Sequence, residues 1–283
     1  MINLDVATVL LQWATGGLLF LWVTSRRRIV GIGYGWLLRS VYGVLAVGAV
    51  AAGTLGDPAP VRDAAAAGVA LAALVALVVS IVRRKAGVAG EHVATSPETD
   101  DGNRRPAPVS VQGARGRGEF APALDLFAPV IGTVGLVAGG LAAGGPDVLA
   151  VARTLVGALF LGAVSDAMLL GHWYLVQPGL PRAPLHELNR FLALVWPAEV
   201  ALLLVPTGML SVLSGSIDDG YGGMLGWFWV ACAITTLVLC FVTKAALKER
   251  AYSAVMAATG LLYLAILTAF GTDLVARALL AQG

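Results

Sequence analysis

The chain has 283 residues, 58% of them hydrophobic and 13% charged, with a mean hydropathy of +0.82. Soluble domains carry about 25% charged residues, so a water-soluble enzyme with a polar skin is excluded. A net charge of +2 is too slight to point to nucleic acid, and Cys232 and Cys240 lie too far apart along one apolar run for a disulfide or a Cys-based zinc site.

A helix needs about 20 mostly apolar residues to cross the hydrocarbon core. The first such stretch, about residues 6–24, has Asp5 before it and Arg26, Arg27 and Arg28 after it. That order is the reverse of a cleaved signal peptide and places the N-terminus outside. Gly31–Gly35 reads as a flexible turn without the strand–turn–helix context of a nucleotide loop. Further stretches follow at about 38–56, 64–82, 126–143, 148–175, 190–213, 224–243 and 253–272.

Threading these eight alternately puts Arg26, Arg27, Arg28 and Arg39, then the basic residues of 83–124, then Arg182 and Arg190, then Lys244, Lys248 and Arg250 on the inner side. Only Arg62, Arg153 and Arg277 are left at the outer face. This asymmetry is the positive-inside pattern. The expected fold is an all-α, polytopic transmembrane helix bundle of about eight spans, with both termini outside. Arginine outnumbers lysine 16 to 3, which suggests a G+C-rich bacterial genome and hence the inner (cytoplasmic) membrane.

Residues 83–124 hold 12 charged residues, four prolines and no apolar periodicity, the composition of a disordered cytoplasmic linker. They divide the chain into a three-helix membrane segment, 1–82, and a five-helix segment, 125–283. Gly48–Arg62 and Gly139–Arg153 match weakly at an offset of 91, a pattern that would suit parallel helical hairpins. The spacings Gly135-x-x-x-Gly139 and Gly140-x-x-x-Gly144 suit close helix packing, within the chain or against other membrane subunits. The remaining partner is the lipid bilayer itself.

Ionisable groups at bilayer depth are costly and mark candidate sites. Arg153, Asp166 and His172 fall on the fifth stretch and Glu199 on the sixth. Counting from Leu175 and Arg190 as helix ends, Asp166 and Glu199 are both nine residues deep, about 14 Å, and so at one level on neighbouring helices. Trp173 and Trp196 would wall a pocket open to the cytoplasm. Two adjoining carboxylates share a proton, and His172 could relay it. Asp273 and Arg277 read as an exposed ion pair where the last helix leaves the membrane.

The pattern supports a subunit of a redox or quinone-linked membrane complex with a proton-handling pocket between the fifth and sixth helices. The alternatives are a proton-coupled transporter of a small solute and a non-catalytic scaffold or assembly protein. A quinone head group is the one cofactor the pocket suggests. Haem is disfavoured because His172 is the one histidine within a span, and no metal is assigned. The sequence names no catalytic residue and leaves open whether the protein is an enzyme.

Overall fold

In lipid the backbone of an apolar segment satisfies its own polar groups as a helix. The computed structural model describes residues 5–83, 120–143, 146–204, 208–249 and 251–281; these are 84% helical and contain no strand. In chain order the long helices are α1 (Val6–Ser25), α2 (Ile32–Leu55), α3 (Pro60–Val82), α4 (Phe127–Ala142), α5 (Asp147–Val176), α6 (Ala183–Leu204), α7 (Met224–Ala246) and α8 (Tyr252–Leu280). A 3-10 turn, Pro122–Leu126, leads into α4, and a one-turn helix, Met209–Leu213, follows α6. Seven of the eight are long and apolar enough to cross a membrane, α4 when taken with its 3-10 turn. The exception is α6, which carries His186, Glu187, Asn189, Arg190 and Glu199. The protein is an all-α bundle of membrane-crossing helices.

Successive helices run antiparallel. Asp5 before α1, Arg62 early in α3 and Arg277 late in α8 line one cavity; that end is termed the N-terminal face. At the opposite end, the linker face, Arg26 pairs with Glu187 at 2.5 Å. Although α6 is the least apolar helix, it runs from the linker face to the level of Arg153 in α5. At its start Arg182 donates to the carbonyls of Leu247 and Ala251 at 3.3 and 2.9 Å, and near its end Leu202 accepts from Arg153 Nε at 2.8 Å.

Two helices form the centre. In an 18-residue apolar window of each helix, 67% of α1 and 61% of α5 is buried, against 33–44% in the other five apolar helices. α1 packs on α2, α4 and α5, and α5 packs on α1, α4, α6 and α8. The helix groups before and after residues 84–119 therefore share one core. The α1–α5 crossing depends on glycine: a Cβ on Gly16 would fall on the Ala158 carbonyl, and one on Gly162 on the Gly16 backbone. Gly135 and Gly139 of α4 pack on α1 and α3, and Gly140 packs on Val151 of α5, so these three glycines make contacts within the chain. Gly144 lies outside the described residues.

Several helix ends differ from the sequence expectation, and in α2 and α8 the reason is a buried ion pair. α2 starts at Ile32, so Gly33 and Gly35 are helical, not part of a flexible turn, and Arg39 is a buried helix residue, not a loop cation. α6 starts at Ala183, seven residues before Arg190. α8 continues to Leu280, so Asp273 and Arg277 lie inside it, both almost fully buried, where an exposed exit cap was expected. Most of the expected linker, 84–119, lies outside the described residues. Its last part is ordered: Phe120 is buried beneath the Arg39 guanidinium, 4.5 Å from ring centroid to Cζ.

Between Leu213 and α7 the chain turns on Asp219. Its carboxylate accepts backbone N–H groups from Tyr221, Gly223 and Leu225 at 3.0, 2.8 and 2.8 Å. Gly220, Gly222 and Gly223 adopt φ of 70°, 64° and 87°, a region open to glycine, and this lets the amides converge. These amides hold the Asp219 carboxyl below the ordinary carboxylate range, the Gly223 N–H most of all.

Two predictions follow from this packing. Gly162→Ala should destabilise the bundle by about 1–3 kcal/mol through overpacking, whereas Gly260→Ala, where a Cβ meets open space, should leave the melting temperature in detergent unchanged. Because the folded Asp219 carboxyl titrates lower than its unfolded form, the stability it contributes is complete above roughly pH 4. That contribution is lost as pH falls through the depressed folded value. The protection of the Tyr221 and Leu225 amides relative to their intrinsic exchange at each pH should therefore fall in acid, and Asp219→Asn should abolish that pH dependence.

Candidate functional site

The sequence-predicted pocket residues turn to different neighbours. Asp166 of α5 is fully buried and accepts from the Tyr42 hydroxyl of α2 at Oδ1. Gly17 makes this contact possible, since a Cβ there would collide with the Tyr42 ring. Beside it, Trp13 of α1 donates to Ser165 Oγ at 2.8 Å and Tyr34 donates to the Asp166 carbonyl at 3.3 Å. Trp173 leans on Tyr34, ring centroids 6.0 Å apart, and donates to Gln177 at 3.1 Å. His172 is exposed on the outer surface of α5, its Nδ1 3.3 Å from Tyr263 Oη of α8. Trp196 donates to the Ala233 carbonyl of α7 at 2.8 Å.

Asp166 and Glu199 are not brought together. The expected level match counted the sixth helix from Arg190; its start at Ala183 places Glu199 sixteen residues from the linker face, against ten for Asp166. At about 1.5 Å per residue these depths are about 24 and about 15 Å. The Arg153–Leu202 bond fixes the register the same way, setting Asp166 near the level of Asn189.

Glu199 instead belongs to a buried cluster toward the N-terminal face. Its carboxyl, on a residue 1% exposed, faces Asp273 and Arg277 of α8 and Arg153 of α5. Within α8, Arg277 Nε donates to both Asp273 oxygens at 2.9 Å. Neither Glu199 oxygen accepts a hydrogen bond from another described residue. Gly157 leaves the space: a Cβ there would stand 2.6 Å from Gln12 Nε2, 2.8 Å from an Arg277 nitrogen and 3.1 Å from Asp273 Oδ1. Gln12 of α1 completes the junction by donating to the Thr154 carbonyl at 2.8 Å. Four helices thus contribute Gln12, Arg153, Glu199 and the Asp273–Arg277 pair.

Arg277 also faces a cavity of about 230 Å³ at the N-terminal face, lined on the other side by Asp5, Thr8, Asp57 and Arg62. The floor is Gly139, Ala142 and Ala143 at the end of α4. Arg62 is fully engaged: Nε donates to Asp63 at 2.8 Å, one terminal nitrogen to Asp5, the other to the Asp57 carbonyl at 2.8 Å. Sequence reasoning found Arg153 and Glu199 but missed that Asp273, Arg277 and Gln12 join them. The signal was present: Asp273 and Arg277 are spaced i,i+4, and Ala276, Leu279 and Leu280 continue the apolar pattern past residue 272.

At the linker face a smaller cavity, about 60 Å³, lies beside Tyr34, Arg39 and Phe120. Behind its wall Arg39 makes a buried bidentate pair, Nε and Nη2 to the Asp125 oxygens at 2.7 and 2.8 Å, supported by Ser25 and Ser80. Among the described residues no group of three or more His, Cys, Asp or Glu converges as metal ligands.

Removing one member of a buried ion pair leaves a charge without compensation. Asp125→Ala should destabilise the fold by about 3–5 kcal/mol, and the double variant Arg39→Met/Asp125→Leu should recover most of that loss. Thermal melts of the two proteins in detergent check this. No protein-family model, curated protein or solved structure matches this chain.

Proposed function

We propose that this protein is a proton-coupled transporter of a small polar solute in the bacterial cytoplasmic membrane, with Glu199 as its proton-carrying group. The observation that carries this reading is the place of Glu199. It is a buried carboxyl that faces Asp273 and Arg277, and Arg277 lines a polar cavity. Both Asp273 oxygens are held by Arg277 Nε, whereas neither Glu199 oxygen has a hydrogen-bonded cation, so we assign the carried proton to Glu199. The cluster Arg153, Glu199, Asp273 and Arg277 then changes from formal neutrality to one net positive charge. At low dielectric such a change is felt strongly by a ligand at the cavity wall.

The end of α6 supports the same reading. A one-turn helix, Met209–Leu213, begins after the non-helical Gly208, and Arg153 donates to the Leu202 carbonyl, whose ordinary helical donor position is Pro206, a residue without an N–H. Interrupted helices with freed carbonyls beside buried charges are the usual construction of transporter sites. The quinone-linked reading required His172, Trp173 and Trp196 around one head group. It has less in its favour, because they turn to α8, α2 and α7.

The test is proton flux in proteoliposomes that enclose a pH-sensitive dye, challenged with pools of small amino acids, carboxylates and sugars. The wild-type protein should acidify the lumen with at least one pool. Glu199→Gln, nearly isosteric, should lower that flux by about tenfold or more, the effect expected for loss of a positioned proton carrier, while keeping its helical melt. Silence of the wild type with every pool, or full flux in the variant, would overturn the reading and favour a scaffold.

A further inference from the structure

We propose that the cavity at the N-terminal face binds a small zwitterion, its carboxylate on Arg277 and its ammonium on the Asp5 and Asp57 side. The proposal rests on the transport reading above and names the class of solute.

The walls carry opposite charge. On the α1–α3 side stand Asp5 and Asp57, with one guanidinium, Arg62, whose three donor nitrogens are already taken by Asp63, Asp5 and the Asp57 carbonyl. On the α5–α8 side stands Arg277, 2% exposed. Its Nε serves Asp273, and NH2 makes one long contact, 3.5 Å, to the Arg153 carbonyl. The NH1 nitrogen bonds to no other described residue, and the residue lines the cavity. A buried guanidinium with donor capacity left over is a carboxylate seat.

The remaining polar atoms suit an ammonium. Thr8 gives its hydroxyl proton to Asp5 at 2.5 Å and Thr154 gives its own to the Ala150 carbonyl at 2.8 Å. Each oxygen is thereby left as an acceptor. The lining counts two acids and two bases, so a lone anion meets the acid wall and a lone cation meets Arg277. Only a molecule carrying both charges is compensated at each end. The volume of about 230 Å³ is below the about 300–1,000 Å³ of sites for drug-sized ligands, and the Gly139, Ala142 and Ala143 floor leaves room for a short apolar side chain.

The same geometry explains coupling. A proton on Glu199 leaves the cluster behind Arg277 with one net positive charge and strengthens the seat for a carboxylate. Loss of that proton restores neutrality and weakens it. Proton and solute therefore bind together and leave together.

The experiment measures calorimetric binding of three probes, alanine, acetate and methylammonium, to the full-length protein in nanodiscs. Alanine should bind, and acetate and methylammonium should each bind at least about tenfold more weakly, because each lacks one charged contact. Asp57→Asn, at an exposed loop position, should weaken alanine binding by about tenfold without moving the melting temperature of the ligand-free protein. Equal binding of acetate and alanine, no alanine binding, or an Asp57→Asn variant indistinguishable from wild type would overturn the zwitterion site. The two readings fail separately. Alanine binding without Glu199-dependent flux supports the site and removes the coupling, whereas flux driven by another pool without alanine binding removes the site and leaves the transport.

Discussion

A guanidinium at bilayer depth is tolerable only when a carboxylate or carbonyl is held against it, and among the described residues four are buried: Arg39, Arg62, Arg153 and Arg277. Each ties separate elements together. Arg39 joins α2 to the turn before α4, and Arg62 joins α3 to the residue that caps α1. Arg153 joins α5 to the end of α6, and Arg277 reaches from α8 back to α5. Helix–helix association in lipid has no hydrophobic driving force, so these contacts carry more of the specificity than they would in water.

Small residues supply the other half of the argument. Gly16 against Gly162, Gly17 under Tyr42, and Gly157 beside Gln12 and Arg277 each remove a side chain where a polar group or a backbone must pass. The two devices cooperate: close backbone approach excludes lipid from the α1–α5 seam, and exclusion of lipid is what makes a buried polar partner necessary.

The functional reading depends on which acid faces which helix. Asp166 sits among hydroxyl and indole donors of α1 and α2, a setting that anchors register near the linker face. Glu199 faces a second acid and two guanidiniums one ion pair away from a polar cavity. Asp166 lines neither cavity; Glu199 faces Arg277, which lines the larger one.

From the sequence alone came the membrane setting, the all-helical class, the near positions of the spans and the singling out of Arg153, Asp166 and Glu199, because hydropathy and the cost of buried charge are local properties of a segment. Pairing was not legible. Charged residues were read as span ends, which cut α2, α6 and α8 short, and a seven-residue error in the start of α6 was enough to move Glu199 to the level of the wrong acid. Only the tertiary structure decided that Asp273 and Arg277 lie inside α8 and meet Glu199. Whether a charge within a helix is an exposed end or a buried partner depends on what packs against it, and that neighbour lies more than seventy residues away in the chain.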